Sequence, residues 1–505
     1  MIKVDVQLCK GCTLCMKECP ANAIEIKNKK AVIGQRCVQC GVCLRICKFG
    51  AVKQTPENKK ETIKCTSCPV QCEIAEGYTG ACQRYTNAKG VLIRNRQLVL
   101  DAVYQPNNDP SISKPLITAV GAGTAYPCSK PAPHIVKDCV DGVDVVTVVT
   151  EVPLSYSGVK VKIDTNFFIG EEGSLVYRDG RIVGLVETEQ YGSKMLSIGG
   201  ANLLTGKDGF IVARTIVDFA NGERVRLSVA KKTVLELQQN ERPVIDGIED
   251  TKMRVGCGSA TIGIFARDMK GVVDEAIILD HHVVGLFSEH LAGAEVGMNW
   301  SGIIPNARKS TRGRYFGEHG NGWGGTNILN PRDAIKDVDM NIAKIGLQIL
   351  VTETTGQKFA LFELQKDGTV KEINMTPPVE KLVNHIKDNC EESHVSVIYF
   401  GGVGGSARAG VTNKPLALTK AVHAEKAQLT IGGAPAYILP GGGINFLADV
   451  NKMVPRAFTW VPTPATVAPA EYTMRLADYE TIGGHLDQVK DVNTLKENIR
   501  NDHNT

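Results

Sequence analysis

Much is missing from this 505-residue chain, and each gap removes a class of function. No GxxxxGK followed by Ser or Thr is present, and no GxGxxG opens a helix after a strand, so neither a P-loop nor a Rossmann nucleotide domain is expected. No apolar run reaches the roughly 18 residues of a membrane span. The opening MIKVDVQLCK lacks the basic-then-apolar order of a secretory leader, and a cytoplasmic protein is expected. Low-complexity tracts are absent too: the 51 Gly and 22 Pro are scattered among apolar runs, which predicts tight turns and little disorder. With 43% hydrophobic and 22% charged residues the composition is that of a soluble globular protein.

Cysteine, in contrast, is plentiful and concentrated. Twelve of the 16 crowd into residues 9–82 at gaps too short for a disulfide framework and suited to metal, which implies a reducing compartment. Cys9, Cys12, Cys15 and Cys19 follow C-x2-C-x2-C-x3-C, closed by Pro20, and Cys37, Cys40, Cys43 and Cys47 repeat it with Lys48 in place of proline. Three cysteines two apart wrap three corners of a cubane, and the distant fourth serves the other cluster in two-cluster ferredoxins. Residues 1–55 resemble a bacterial two-cluster ferredoxin. The resemblance implies two 4Fe-4S clusters, one on Cys9, Cys12, Cys15 and Cys47 and the other on Cys37, Cys40, Cys43 and Cys19. Tetrahedral zinc has no use for the doubled, interlocked triplet. Between the motifs, AIEIKNKKAVI reads as a hairpin turning at its polar centre.

A second set, Cys65, Cys68, Cys72 and Cys82 in CTSCPVQCEIAEGYTGAC, follows a polar linker and resembles the cysteine knuckle of some radical-SAM-type iron–sulfur proteins. The C-x3-C-x2-C of radical-SAM chemistry itself is missing. A third iron–sulfur cluster, relaying electrons onward, and a structural zinc both remain open for this set.

Charge is as uneven as cysteine. Residues 1–64 hold 11 Lys and 2 Arg against 5 acids, a balance of +8 within a chain of net +4. Part of that offsets anionic clusters, and the rest suits an acidic electron carrier such as reduced ferredoxin. Nucleic acid is disfavoured, because these lysines are not interleaved with aromatics.

Beyond residue 90 the runs VDVVTVVTEV, GVKVKID, SLVYRDGRIVGLVET, FIVARTIVDF and ERVRLSVAK predict antiparallel strands to about residue 240. PRDAIKDVDMNIAKIGLQIL and PVEKLVNHIKDN predict helices beside the strand SVIYF. The expected fold is α+β: a ferredoxin-like module (1–58), a four-cysteine knuckle (59–90), a strand-rich part of a catalytic body (91–245) and an α+β part (246–505).

Within the body, Gly258–Gly263 in MRVGCGSATIGIF is echoed by Gly405–Gly410 in GGVGGSARAGV, which suggests two related halves on one cleft or a recurrent strand-to-helix turn. TRGRYFGEHGNGWGGTNI sets Arg312, Arg314, Glu318, His319 and Trp323 among glycines, the material of a ligand loop or a structural Ω-loop. Asp280-His281-His282 and Glu289-His290 read as ordinary core or surface histidines. Cys128, Cys139 and Cys390 read as buried thiols.

GGVGGSARAG, LTIGGAPAYILPGGGINF and AFTWVPTPATVAPAEYTM resemble the carboxy-terminal part of bacterial 6-hydroxynicotinate reductases, and the likeness spans nearly the whole chain. It implies reduction of 6-hydroxynicotinate to 6-oxo-1,4,5,6-tetrahydronicotinate by reduced ferredoxin in anaerobic nicotinate breakdown, with a flavin for two-electron chemistry. That reaction needs a carboxylate clamp, donors to a developing oxyanion and an acid. The expected parts are Arg408 or Arg314 as clamp, the amides of Gly404, Gly405, Ser406 and Ala407 as donors, and His319 as acid. Another oxo-N-heterocycle or enoate substrate, and an electron-transfer subunit serving a partner enzyme, are the competing expectations. A homo-oligomer is compatible with all of them.

Overall fold

The computed structural model describes residues 1–502 apart from 57–60, 69, 96, 101–111, 113–114, 122–129, 155, 190–192, 253–256, 282, 311–312, 316–319 and 463–464. The amino-terminal head is small and knotted by turns. Strand Ile2–Val4 pairs antiparallel with Val52–Gln54, and Ile24–Lys27 with Lys30–Ile33. Asn28 and Lys29 carry φ of 50° and 58°, the left-handed pair that a two-residue hairpin turn demands, so the hairpin expected between the cysteine motifs is present. The knuckle adds two more hairpins, Thr62–Lys64 with Glu73–Ala75 and Tyr85–Ala88 with Val91–Arg94.

The body is dominated by a closed, mostly antiparallel barrel. Its first strands are β1 (His134–Val140), β2 (Val143–Leu154), β3 (Gly158–Asp164) and β4 (Ser193–Gly199). The helix α1 (Gly209–Ala220) follows. FIVARTIVDF was expected as a strand and is this helix: nearly every face of it is buried, including Phe210, Ile211, Val212, Ile216 and Phe219. A continuous apolar run reads alike for a buried strand and a buried helix, and packing inside the core decided between them.

A second unit is inserted next. It comprises α2 (Gly258–Met269), β5 (Glu275–Leu279), β6 (Gln348–Glu353), β7 (Phe359–Leu364), β8 (Val370–Ile373) and α3 (Pro377–Asp388). β5 and β6 run parallel and β6, β7 and β8 antiparallel in one sheet. Alternation sorts the strand residues: Ala276 and Ile278 pack with α2 and α3, while Ile277 and Leu279 pack on the other face with Ile303, Ile328 and Ile335. The helix expected at PVEKLVNHIKDN is α3. That expected over 331–350 is absent: a short turn Pro331–Ala334 leads into strand Ile335–Val338. Asp339 then accepts a hydrogen bond from the Asn341 amide and Gly346 takes φ of 84°, turn chemistry that stops any helix before β6.

The barrel is completed by β9 (Val395–Val403), α4 (Gly405–Ala409), β10 (Ala427–Ile431), β11 (Ile444–Asp449) and β12 (Ala465–Arg475). β9 pairs with β3 and β11, and β12 with β2 and β10. Strands from both sides of residue 245 share one barrel, so the two parts expected of the catalytic body interleave in it. The head docks on this barrel. Val42 and Ile46 sit in the barrel's own hydrophobic core with Leu14, Cys15 and Cys40 packed against it, and Arg214 of α1 reaches Glu18 at 3.2 Å.

Candidate functional site

Turns gather the cysteines into three sets. Gly11 and Gly41 adopt φ of 66° and 77°, and a Cβ on Gly11 would stand 2.2 Å from the Lys29 carbonyl oxygen, so only glycine lets that loop close. One cavity is walled by Cys9, Cys12, Cys15 and Cys47. A second is walled by Cys19, Cys37, Cys40 and Cys43, and a third by Cys65, Cys68, Cys72 and Cys82. The structure therefore brings the first eight thiols together in the interlocked pairing, each fourth cysteine crossing to the other triplet. All the described cysteines are free thiols.

The polypeptide around the sulfurs is apolar with a few aimed amides. Ala31, Ala23 and Ala51 N–H groups donate to the Sγ atoms of Cys9, Cys19 and Cys47 at 3.4, 3.2 and 3.3 Å, bonds that tune a cluster's potential when one is bound. Burial pushes the Cys40 and Cys82 thiols up to about 11 and Cys43 to about 12, and raises Cys72 further. Such thiols become ligands only when a cation supplies the compensating charge.

The cavities form a row. Cys43 packs in one cluster with Cys9 and Cys15, while Val38 and Cys40 pack in another with Cys65, Cys72 and Cys82, so the second set touches both the first and the third. The outer end is open, with Cys12 exposed. The inner end is closed by Pro153, Val461 and Val467 of the barrel wall and by Arg84. Arg84 is fully buried: Nε donates to Glu151 at 2.7 Å, Nη1 to Thr459 Oγ1 at 2.7 Å and Nη2 to the Ala457 carbonyl at 3.3 Å.

On the inward side of the same wall stands Arg408. It belongs to α4, which follows β9 directly with Gly404 as its extended cap. Nη1 is bonded to Thr419 Oγ1. Among the described residues, Nε is buried with no hydrogen-bond partner, and so are the Tyr472 hydroxyl and Thr150 Oγ1. Burial raises the Tyr472 phenol and the positive charge of Arg408 draws it back down. Gly404 and Gly405 are exposed at the start of α4. The Ala407 amide already donates to the Gly404 carbonyl at 3.1 Å, which removes it from the expected set of substrate donors. Arg314 lies in the hairpin of Arg308–Ser310 with Gly313–Tyr315, its side chain outside what is described. His319, Arg312, Glu318, His282, Cys128 and the Ser406 side chain also lie outside the described residues.

The two Gly-Ser-Ala copies each start a helix, α2 after Cys257 and α4 after Gly404, but in separate hydrophobic cores; the recurrent turn explains the echo. His290 is structural, its Nδ1 accepting from the Ala292 amide at 3.1 Å and its Nε2 meeting Ser259 at 2.9 Å. Cys390 is buried as expected, whereas Cys139 is exposed on β1, where its side of the strand meets solvent. Among the described residues no His, Cys, Asp or Glu group closes tightly enough to hold a single metal ion.

Several buried charged groups escaped sequence reading, among them Lys194, Glu189 and Glu471. Lys194 of β4 donates to Glu189 at 2.5 Å, and His281 stands 3.8 Å from the same carboxylate oxygen. The Gly324 carbonyl accepts from the His281 amide at 3.1 Å, which ties the glycine-rich loop to this cluster. Glu471 is enclosed by Thr118, Thr430 and the Gly433 amide, and burial pushes its carboxyl up to about 8. No local pattern marks these residues, since each meets its partners only through the folded barrel.

Cysteine-walled cavities packed against a large barrel mark an iron–sulfur protein, and a relative makes the class an oxidoreductase. The 4Fe-4S binding domain family matches residues 2–25. A curated 6-hydroxynicotinate reductase from Eubacterium barkeri is 60% identical over 501 residues, covering 98% of this chain and 100% of the relative. The chain belongs to the 6-hydroxynicotinate reductase family. No solved structure matches it, and no described helix is long and apolar enough to cross a membrane.

Proposed function

We propose that this protein reduces 6-hydroxynicotinate to 6-oxo-1,4,5,6-tetrahydronicotinate in a reducing, cytoplasmic setting, with electrons supplied by reduced ferredoxin or a similar acidic one-electron carrier. The observation that carries the reading is the row of three four-cysteine cavities between an exposed thiol, Cys12, and the barrel wall. The carrier is met by Lys10, Lys17 and Lys48, all exposed, among the exposed side chains of Leu8, Met16 and Phe49.

The cysteines fit iron–sulfur clusters, two on the interlocked sets and a third in the knuckle. Thiols ranged round an apolar cavity suit a cubane, whereas zinc would draw four sulfurs to one point at about 2.3 Å. When bound, the clusters pass single electrons inward. The product needs two electrons and two protons, a count that favours a flavin as a two-electron store; no residue is assigned to it.

In the oxo tautomer, C4=C5 is conjugated with the C6 carbonyl. Addition at C4 throws charge onto the C6 oxygen, and protonation at C5 completes the reduction. The chain's part is to grip the ring carboxylate through Arg408, to exclude water and to supply a proton, for which His319 in the glycine-rich loop is proposed. To test the reading, the anaerobically purified chain is supplied with reduced viologen and the loss of 6-hydroxynicotinate absorbance followed. Loss with product formation supports it; loss only with another heterocycle leaves the class and removes the substrate.

A further inference from the structure

We infer that the inward wall of the barrel holds the substrate's ring carboxylate between three groups: the Nε edge of Arg408, the hydroxyl of Tyr472 and the Oγ1 of Thr150. The inference rests on the proposed reduction of a carboxylated ring and adds two residues that no motif pointed to. Tyr472 and Thr150 are fully buried, and their hydroxyls, like Arg408 Nε, have no hydrogen-bond partner among the described residues. Buried polar atoms are nearly always paired, so unpaired ones on two adjoining strands and on the helix packed against one of them mark a place where something polar binds.

Their placement is mutual. In the ladder of β2 with β12, Val148 faces Tyr472 and Thr150 faces Ala470, which makes Thr150 and Tyr472 diagonal neighbours. They share the inward face, where Val148, Ala470 and Tyr472 belong to the barrel core. α4, which carries Arg408, packs against β2, the strand that carries Thr150. With Nη1 held by Thr419, the guanidinium presents its Nε side, an edge that grips a carboxylate with two parallel N–H donors. The two hydroxyls donate to the same anion. Arg408 is half-buried and Gly404 and Gly405 beside it are exposed, so this end of the site is the one nearest solvent.

The position also suits electron delivery. Pro153 lines the knuckle cavity from the strand that carries Thr150. Three residues of strand span about 10 Å, so a single sheet wall separates the innermost thiols from the carboxylate.

The test compares two rings. Equilibrium binding of 6-hydroxynicotinate and of 2-hydroxypyridine, the same ring without its carboxylate, is measured on the whole anaerobic protein and on Tyr472→Phe, Thr150→Val and Arg408→Lys. Each variant is expected to weaken 6-hydroxynicotinate about tenfold or more and to leave 2-hydroxypyridine unchanged. A buried water, or hydroxyls that are simply unpaired, would leave 6-hydroxynicotinate binding intact in Tyr472→Phe and Thr150→Val, and that result overturns the inference. Equal weakening of both rings overturns it as well, as does a wild type that binds neither. Turnover separates the two claims: carboxylate-selective loss of binding without wild-type turnover retains the site and removes the reaction, whereas normal turnover with unaffected variants does the reverse.

Discussion

Arg84 and Glu151 meet at 2.7 Å with their side chains 2% and 0% exposed, and this contact bolts the cysteine knuckle to the strand that lines both the third cavity and the barrel interior. Removing one partner of a buried pair strands the other charge, at a cost of about 3–5 kcal/mol. Arg84→Met is therefore expected to lower the thermal unfolding midpoint sharply, and Arg84→Met with Glu151→Leu to recover much of the loss. Calorimetry on the wild type and the two variants checks it; equal midpoints for the single and double variants would mean that the pair contributes nothing beyond packing.

The knuckle makes a separate claim. Cys68→Ser is expected to remove about four of roughly twelve irons per chain and to slow turnover while the outer clusters still accept electrons. Iron and zinc analysis with electron paramagnetic resonance reads this directly. Unchanged iron with lost zinc would leave the knuckle as a joint and take away the relay.

Much of the head was legible because cubane ligation writes itself into spacing: Cys9 to Cys47 could be paired from the sequence, and the structure gathers them in that pairing. The hairpin at Asn28 and the strands of β2 and β3 were legible for the same local reason. The α1 run was not, since Ile211, Val212 and Ile216 are buried on every side and carry no period. Nor was the barrel interior. In ATVAPAEYTM every residue is buried, so nothing in the string separates Glu471, facing Thr118, from Tyr472, which feels the charge of Arg408; only strand pairing assigns them to opposite faces.

Glu471 gives a pH prediction. Its folded value, about 8, lies above the ordinary 4.5, so the native state holds a proton that the unfolded chain releases. Stability from this group is present below about 4.5 and is lost as pH rises toward 8, at up to about 1.4 kcal/mol per pH unit. Glu471→Gln is expected to flatten that decline in unfolding midpoints between pH 5 and 8. Parallel curves for the two proteins would refute it.

Ile216 of α1 is fully buried, with its Cδ1 2.6 Å from where a Cβ on Gly199 would stand. Ile216→Ala should cost about 2–5 kcal/mol without altering iron content. Loss of iron along with stability would show that α1 supports the head as well as the barrel.

The central claim is that electrons taken up at the exposed head are spent on a ring held within the barrel. One measurement reaches it most directly: 6-hydroxynicotinate absorbance is followed anaerobically with reduced viologen and the single purified chain, beside Cys68→Ser. Rapid loss with the tetrahydro product in the wild type, and slow loss in the variant, is the predicted result. Clusters that are reduced in full while 6-hydroxynicotinate persists would contradict it.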